Sequence, residues 1–151
     1  MYRRFLLSTL LVVPMLSSAA FAQSQFGSPA EARAMLDKAV AALRADKIKA
    51  LDMFNKGEGG FKDRDLYVAC AGADGKVTAH IDQTRIGMDR NSMKDPTGKP
   101  FGEEVQRVAA EGKVAEVTYM FPRPGADKTP VQKVAFVTKV GDQTCAVGYY
   151  K

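Results

Sequence analysis

Two periodicities divide the chain. Between residues 29 and 54 apolar side chains return every three or four positions, at Ala32, Met35, Leu36, Ala39 and Leu43, the spacing that lines one face of an α-helix. Ser28 is a good N-cap, Pro29 suits the first helical position, and Glu31 stands where a capping box needs it. The pattern predicts a helix from 29 to about 46, with a further turn or two through Leu51 and Phe54, ended by Gly57, Gly59 and Gly60. From Leu66 the texture changes to short runs rich in Val, Tyr, Phe and Thr, separated by Gly, Asp and Pro, which predicts strands and turns. Runs 66–71 and 76–81 flank Ala73-Asp74-Gly75, a hairpin signal. Residues 82–100 hold charges, Met88, Met93 and the turn cluster Asp95-Pro96-Thr97-Gly98. They read as a long irregular connection, a kind that often carries function and could cover a ligand. A helix is predicted over 101–111, with Val105 and Val108 on one side and Gly112 as its stop. Three strands follow, at about 114–121, 131–140 and 143–150, the last two joined by Gly141-Asp142.

This order predicts an α+β domain: five mostly antiparallel strands, with the long N-terminal helix covering one face and a short helix between strands two and three. A length of 151 residues suits one domain, and 46% hydrophobic with 26% charged residues excludes the disordered and low-complexity classes. Residues 1–22 should not count towards the core. Arg3 and Arg4, an apolar run from Phe5 to Leu16, and small residues ending Ala20-Phe21-Ala22 read as an export signal. That apolar run is too short to cross a bilayer, so the mature domain, 23–151, is expected to be free of membrane insertion and periplasmic or secreted. Without Arg3 and Arg4 the formal net charge falls from +5 to +3. The remaining basic residues are mixed with acidic ones, so nucleic acid is not an expected partner.

Two cysteines, Cys70 and Cys145, in an oxidising compartment argue for a disulfide. If the first and last strands lie side by side, the two become cross-strand neighbours, as a bridge requires. Their separation and the single histidine lack the spacing of a zinc site, and the Asp74-Gly75 turn lacks the rest of a calcium loop, so no metal and no cofactor is expected. No nucleophile elbow, phosphate loop or credible acid–base pair is present, so an enzyme is not expected.

Binding groups are easier to find. His80, at a strand end beside the long connection, can donate or accept a hydrogen bond to a ligand, or can be an ordinary surface histidine. Lys133 shares a mostly apolar strand face with Val131, Ala135 and Val137, where an ammonium either meets an anion such as a carboxylate or snorkels to the strand edge. Tyr119 and Phe121 alternate with Val117 and either pack the core or line a pocket; Tyr67 has the same two readings. Arg85 and Met88 lie in the connection, where arginine can grip a carboxylate and methionine adapts to irregular shapes, unless the loop is simply solvated.

The chain from Pro29 to Lys151 resembles the extracytoplasmic Cache sensor family in its small single-module form (the sCache_2 type), a PAS-like five-stranded sheet with a long N-terminal helix. The marks are Tyr67, Asp74-Gly75-Lys76-Val77, Ala79-His80, Gly87, Asp95-Pro96-Thr97-Gly98-Lys99, Phe101, Gly112, Tyr119, Lys133 and Val147-Gly148-Tyr149-Tyr150, in that order. The resemblance implies a module that binds a small molecule, often an organic acid or amine, in a pocket between the sheet and the connection after strand two. Most members are fused to membrane receptors, but no membrane helix, kinase or methyl-accepting region is read in this sequence, so a free-standing module signalling through a separate membrane partner, a sensor kinase or a chemoreceptor, is expected. The alternative is a structural or protein-interaction module of the envelope with no small-molecule ligand.

Overall fold

The computed structural model describes residues 24–151, and the segment read as an export signal lies outside them. Helix α1 runs Pro29–Ala45 with the predicted capping box between Ser28 and Glu31. It buries Ala32, Met35, Leu36, Ala39 and Leu43. The chain does not carry this helix through to Phe54. Asp46 turns extended, its carboxylate accepts the Lys49 amide, and a second helix α2 begins, Lys47–Lys56. An aspartate that can cap a new helix competes with continuing the old one, and here the cap wins.

The sheet has six strands rather than five. They are β1 Lys62–Asp63, β2 Leu66–Ala71, β3 Val77–Ala79, β4 Ala115–Pro122, β5 Pro130–Val140 and β6 Gln143–Tyr150. β1 escapes sequence reading because two residues cannot show an alternation. All pairings are antiparallel, in the order β1-β2-β6-β5-β4, and β3 pairs with β2. The hairpin around Gly75 forms, but β3 is shorter than the predicted 76–81, because Lys76 and Val77 engage the returning connection at Asp89 and Met88. Helix α3, Phe101–Val108, ends before the predicted residue 111, since Ala110 accepts the Lys139 amide and Glu111 bridges to Lys139 on β5.

Alternation along the strands sorts the core into two layers. Val68, Cys70, Cys145 and Val147 join the face covered by α1 and α2. Val117, Ala135 and Val137 join the opposite face, beneath α3. β2 and β6 lie side by side with Cys70 opposite Cys145, and the two are joined by a disulfide.

Candidate functional site

The face under α3 is incompletely filled. A cavity of about 80 Å³ lies between the sheet and the 82–100 connection. Water needs roughly 10–15 Å³ on this measure, so the space suits a molecule of several non-hydrogen atoms. Its floor is built from alternate residues of β2, β5 and β6, including Ala69, Ala71, Ala135 and Ala146, whose small side chains leave the void. Phe101 and Val105 of α3 and Met93 of the connection cover it. A second pocket of about 250 Å³ shares Tyr67, His80, Arg85 and Phe121 with the first, and forms its outer approach.

Lys133 is the charged group on that floor, only 3% exposed. Its Nζ donates to the Tyr67 hydroxyl at 2.8 Å. Three rings surround it, with centroids of Tyr67, Tyr150 and Phe121 at 4.2, 4.8 and 5.1 Å, a cage that attracts a cation through the negative ring faces. No carboxylate pairs with it among the described residues; Asp65 acts only from a distance, being engaged with Arg123 and the Gly27 amide. Burial pushes the amine down from 10.5 to about 7, with Asp65 opposing and Arg85 adding to the fall. Gly148 makes room for it, because a Cβ there would collide with Lys133 Cε on the neighbouring strand.

His80 lies edge-on to Tyr67, ring centroids 5.0 Å apart. Its Nδ1 accepts the Asp82 amide at 2.9 Å. Burial, then the positive charges of Lys133 and Arg85, push it down to about 4. The ring is therefore neutral at pH 7 with its proton on Nε2, leaving that N–H as a donor. Tyr119 stacks flat on Phe101 at 4.2 Å, and Phe121 meets both rings edge-on. Both line the cavity and pack its wall, so the two sequence readings hold together. Burial raises both the Tyr67 and Tyr119 hydroxyls, which stay protonated as donors. Arg85 borders both pockets, with its guanidinium over Phe121 at 4.8 Å and 3.6 Å from the Asp82 carboxylate.

Six of the seven predicted binding residues thus converge on one cavity. Met88 does not: it is 46% exposed and outside the lining. Its backbone pairs with Val77, which turns the side chain outward, and Met93 takes the inner position. Sequence reading also missed Arg90, which lines the cavity from the second 3-10 turn, Arg90–Ser92.

Asp95 holds the connection in place. One oxygen accepts Thr97 N, Thr97 Oγ1 and Lys99 N, while the other accepts Met120 N of β4. Asp95-Pro96-Thr97-Gly98-Lys99 is therefore a clamp between the connection and β4. Asp95→Ala should free three backbone donors at once and lower Tm by several degrees in a thermal melt, while Asp95→Asn, which keeps acceptor capacity on one oxygen only, should fall between it and the parent.

A helix-backed antiparallel sheet holding a small cavity beneath a long connection is the fold shared with the sensor domains reported below. The family model described as "Single Cache domain 2" matches residues 16–149, and the chain belongs to that family. The match begins inside the segment read as an export signal. Among solved structures the chain is similar to a methyl-accepting chemotaxis protein from Vibrio parahaemolyticus, with TM-score 0.66 and 16% identity over 80% of this chain and 86% of that one. It is similar to a periplasmic sensor domain of a chemotaxis protein, with TM-score 0.59 and 21% identity over 79% and 87%. It is also similar to a Cache chemosensory domain described for carboxylic acid recognition, with TM-score 0.57 and 22% identity over 79% and 85%. No curated protein matches the sequence.

Proposed function

We propose that this protein binds a small organic acid outside the cytoplasm and reports its presence to a separate membrane partner, a sensor kinase or a chemoreceptor. The carboxylate sits against Lys133, with the Tyr67 hydroxyl and His80 Nε2–H as further donors, and Arg85 guards the approach. The observation that carries this reading is a buried amine facing a cavity, with no carboxylate paired to it among the described residues. A buried charge without a counterion is costly, and an acid entering the cavity would supply one. The similar chemosensory domain described for carboxylic acid recognition adds support.

The aromatic cage favours the other reading, an interaction module with no small ligand, because three ring faces partly satisfy the ammonium unaided. Thermal melts against millimolar panels of short carboxylic acids and of amines decide between them. Acids should raise Tm by mass action, amines should not, and Lys133→Ala should abolish the rise. A flat response to every acid would leave the interaction module standing.

A further inference from the structure

At the other end of the cavity is a second buried cation. Arg90 is 7% exposed and lines the same space as Lys133. Its Nη2 donates to Gln106 Oε1 on α3, but Nε and Nη1 have no hydrogen-bond partner among the described residues. A buried guanidinium with two idle nitrogens is an incomplete arrangement: desolvation is incurred and only part of the donor fork is used.

Its placement is built rather than incidental. The Arg90 amide donates to Gly75 O at 2.9 Å, and its carbonyl accepts Met93 N at 3.0 Å. That carbonyl also lies so close to α3 that any Cβ at Gly102 would strike it. The turn is thus fixed between the β2–β3 hairpin and α3, as Lys133 is seated over Gly148. The two cations stand apart along the sheet. Lys133 adjoins Tyr67, at the start of β2, whereas Arg90 hangs from Gly75 beyond Ala71, at its end. Tyr67 and Ala71 are four positions apart along the strand, roughly 13 Å of floor, and both long side chains line the cavity above it.

We infer that Arg90 is a second anion-binding group of this cavity, and that the preferred ligand is a short dicarboxylate, of three or four carbons, with one carboxylate at Lys133 and the other at Arg90. This rests on the acid-binding reading above and narrows it. Such a molecule has seven or eight non-hydrogen atoms, which suits the volume, and its far carboxylate accepts from one idle nitrogen, Nε or Nη1, together with the remaining hydrogen of Nη2 beside it, in the forked manner arginine favours. A monocarboxylate would leave that fork unpaired.

Calorimetric titration of the purified protein with malonate and succinate against propionate and butyrate tests it. The dicarboxylates should bind at least tenfold more tightly than the monocarboxylates of equal length. Arg90→Leu should erase that preference while holding butyrate within about threefold of the parent value. It should also raise the Tm of the ligand-free protein, because an unsatisfied buried charge is removed and the exposed Gln106 amide returns to water. Arg90→Met serves the same purpose should the leucine variant not fold. Equal binding of succinate and butyrate by the parent overturns this inference and leaves the acid-binding reading intact. So does a variant that weakens both acids alike, or one that melts lower without ligand, since those mark a structural role. Failure of every acid to bind overturns both.

Discussion

Lys133→Met should give a protein more stable than its parent at pH 6, with the difference fading as pH rises towards 10. In the unfolded chain this amine titrates near its ordinary 10.5, and in the fold at about 7. Below pH 7 both states are protonated, and the fold bears the whole cost of burying the charge, roughly 5 kcal/mol from the interval between the two values. Between 7 and 10.5 the unfolded state holds the proton that the folded state has lost, so stability rises with pH by about 1.4 kcal/mol per unit. A net advantage for the variant of roughly 5 kcal/mol at pH 6, shrinking by about 1.4 kcal/mol per unit above pH 7, is the expected balance, read from urea titrations of the two proteins at several pH values. Groups common to both cancel in the difference, so the slope that remains belongs to position 133. Ligand affinity runs the opposite way. An anion needs the ammonium, so the dissociation constant for a short acid should be level from about pH 5.5 to 6.5 and then rise tenfold per unit above 7. Binding above pH 7 should take up a proton from buffer, visible as a buffer-dependent heat. A dissociation constant that stays level from pH 6 to 9 would mean that the acid does not meet this amine.

What could be read in the sequence follows from how far each signal propagates. Helix α1 announced itself because its cap and its apolar stripe are local and agree. Lys133 stood out because a cation in an alternating apolar strand contradicts its surroundings, and such contradictions mark sites where a fold accepts strain for function. Cys70 and Cys145 tied together strands that are far apart in the chain, and so gave the one long-range contact that the sequence contains. The connection was different. Residues 82–100 have no period, so nothing along the chain says whether Met88 or Met93 faces inward; hydrogen bonds between Val77 and Met88 decide it. Arg90 was hidden for the same reason, since between Asp89 and Asn91 it looks like any solvated charge, and only the hairpin above and α3 below bury it. The break at Asp46 is not legible in the spacing, because the apolar pattern carries on past a residue that is itself a cap. Even so, the cavity's cationic floor was legible, while its roof depended on tertiary packing.

Removing the disulfide should have the other large effect, and should leave the binding site untouched. Cys70 and Cys145 are 75 positions apart and join β2 to β6. Restraining so long a loop in the unfolded chain is worth about 4 kcal/mol in the loop-entropy treatment. For a described domain of this size that corresponds to a drop in Tm of roughly 15 °C. The cysteines lie in the layer beneath α1, with Cys70 also bordering the cavity, while their strand neighbours Ala69, Ala71, Thr144 and Ala146 face it from the sheet. The register is held besides by the backbone pairing of β2 with β6, so a reduced protein kept well below its melting point should bind acids with the affinity of the oxidised one. The denaturant slope separates the two ways in which stability could be lost. If the bridge acts on the unfolded chain, reduction lets that chain expand, and m should increase as stability falls. If instead the sulfurs matter as packing between α1 and the sheet, Cys70→Ala with Cys145→Ala should cost more than reduction does, with m unchanged, and the cross-link would then be incidental to a core that α1 already holds.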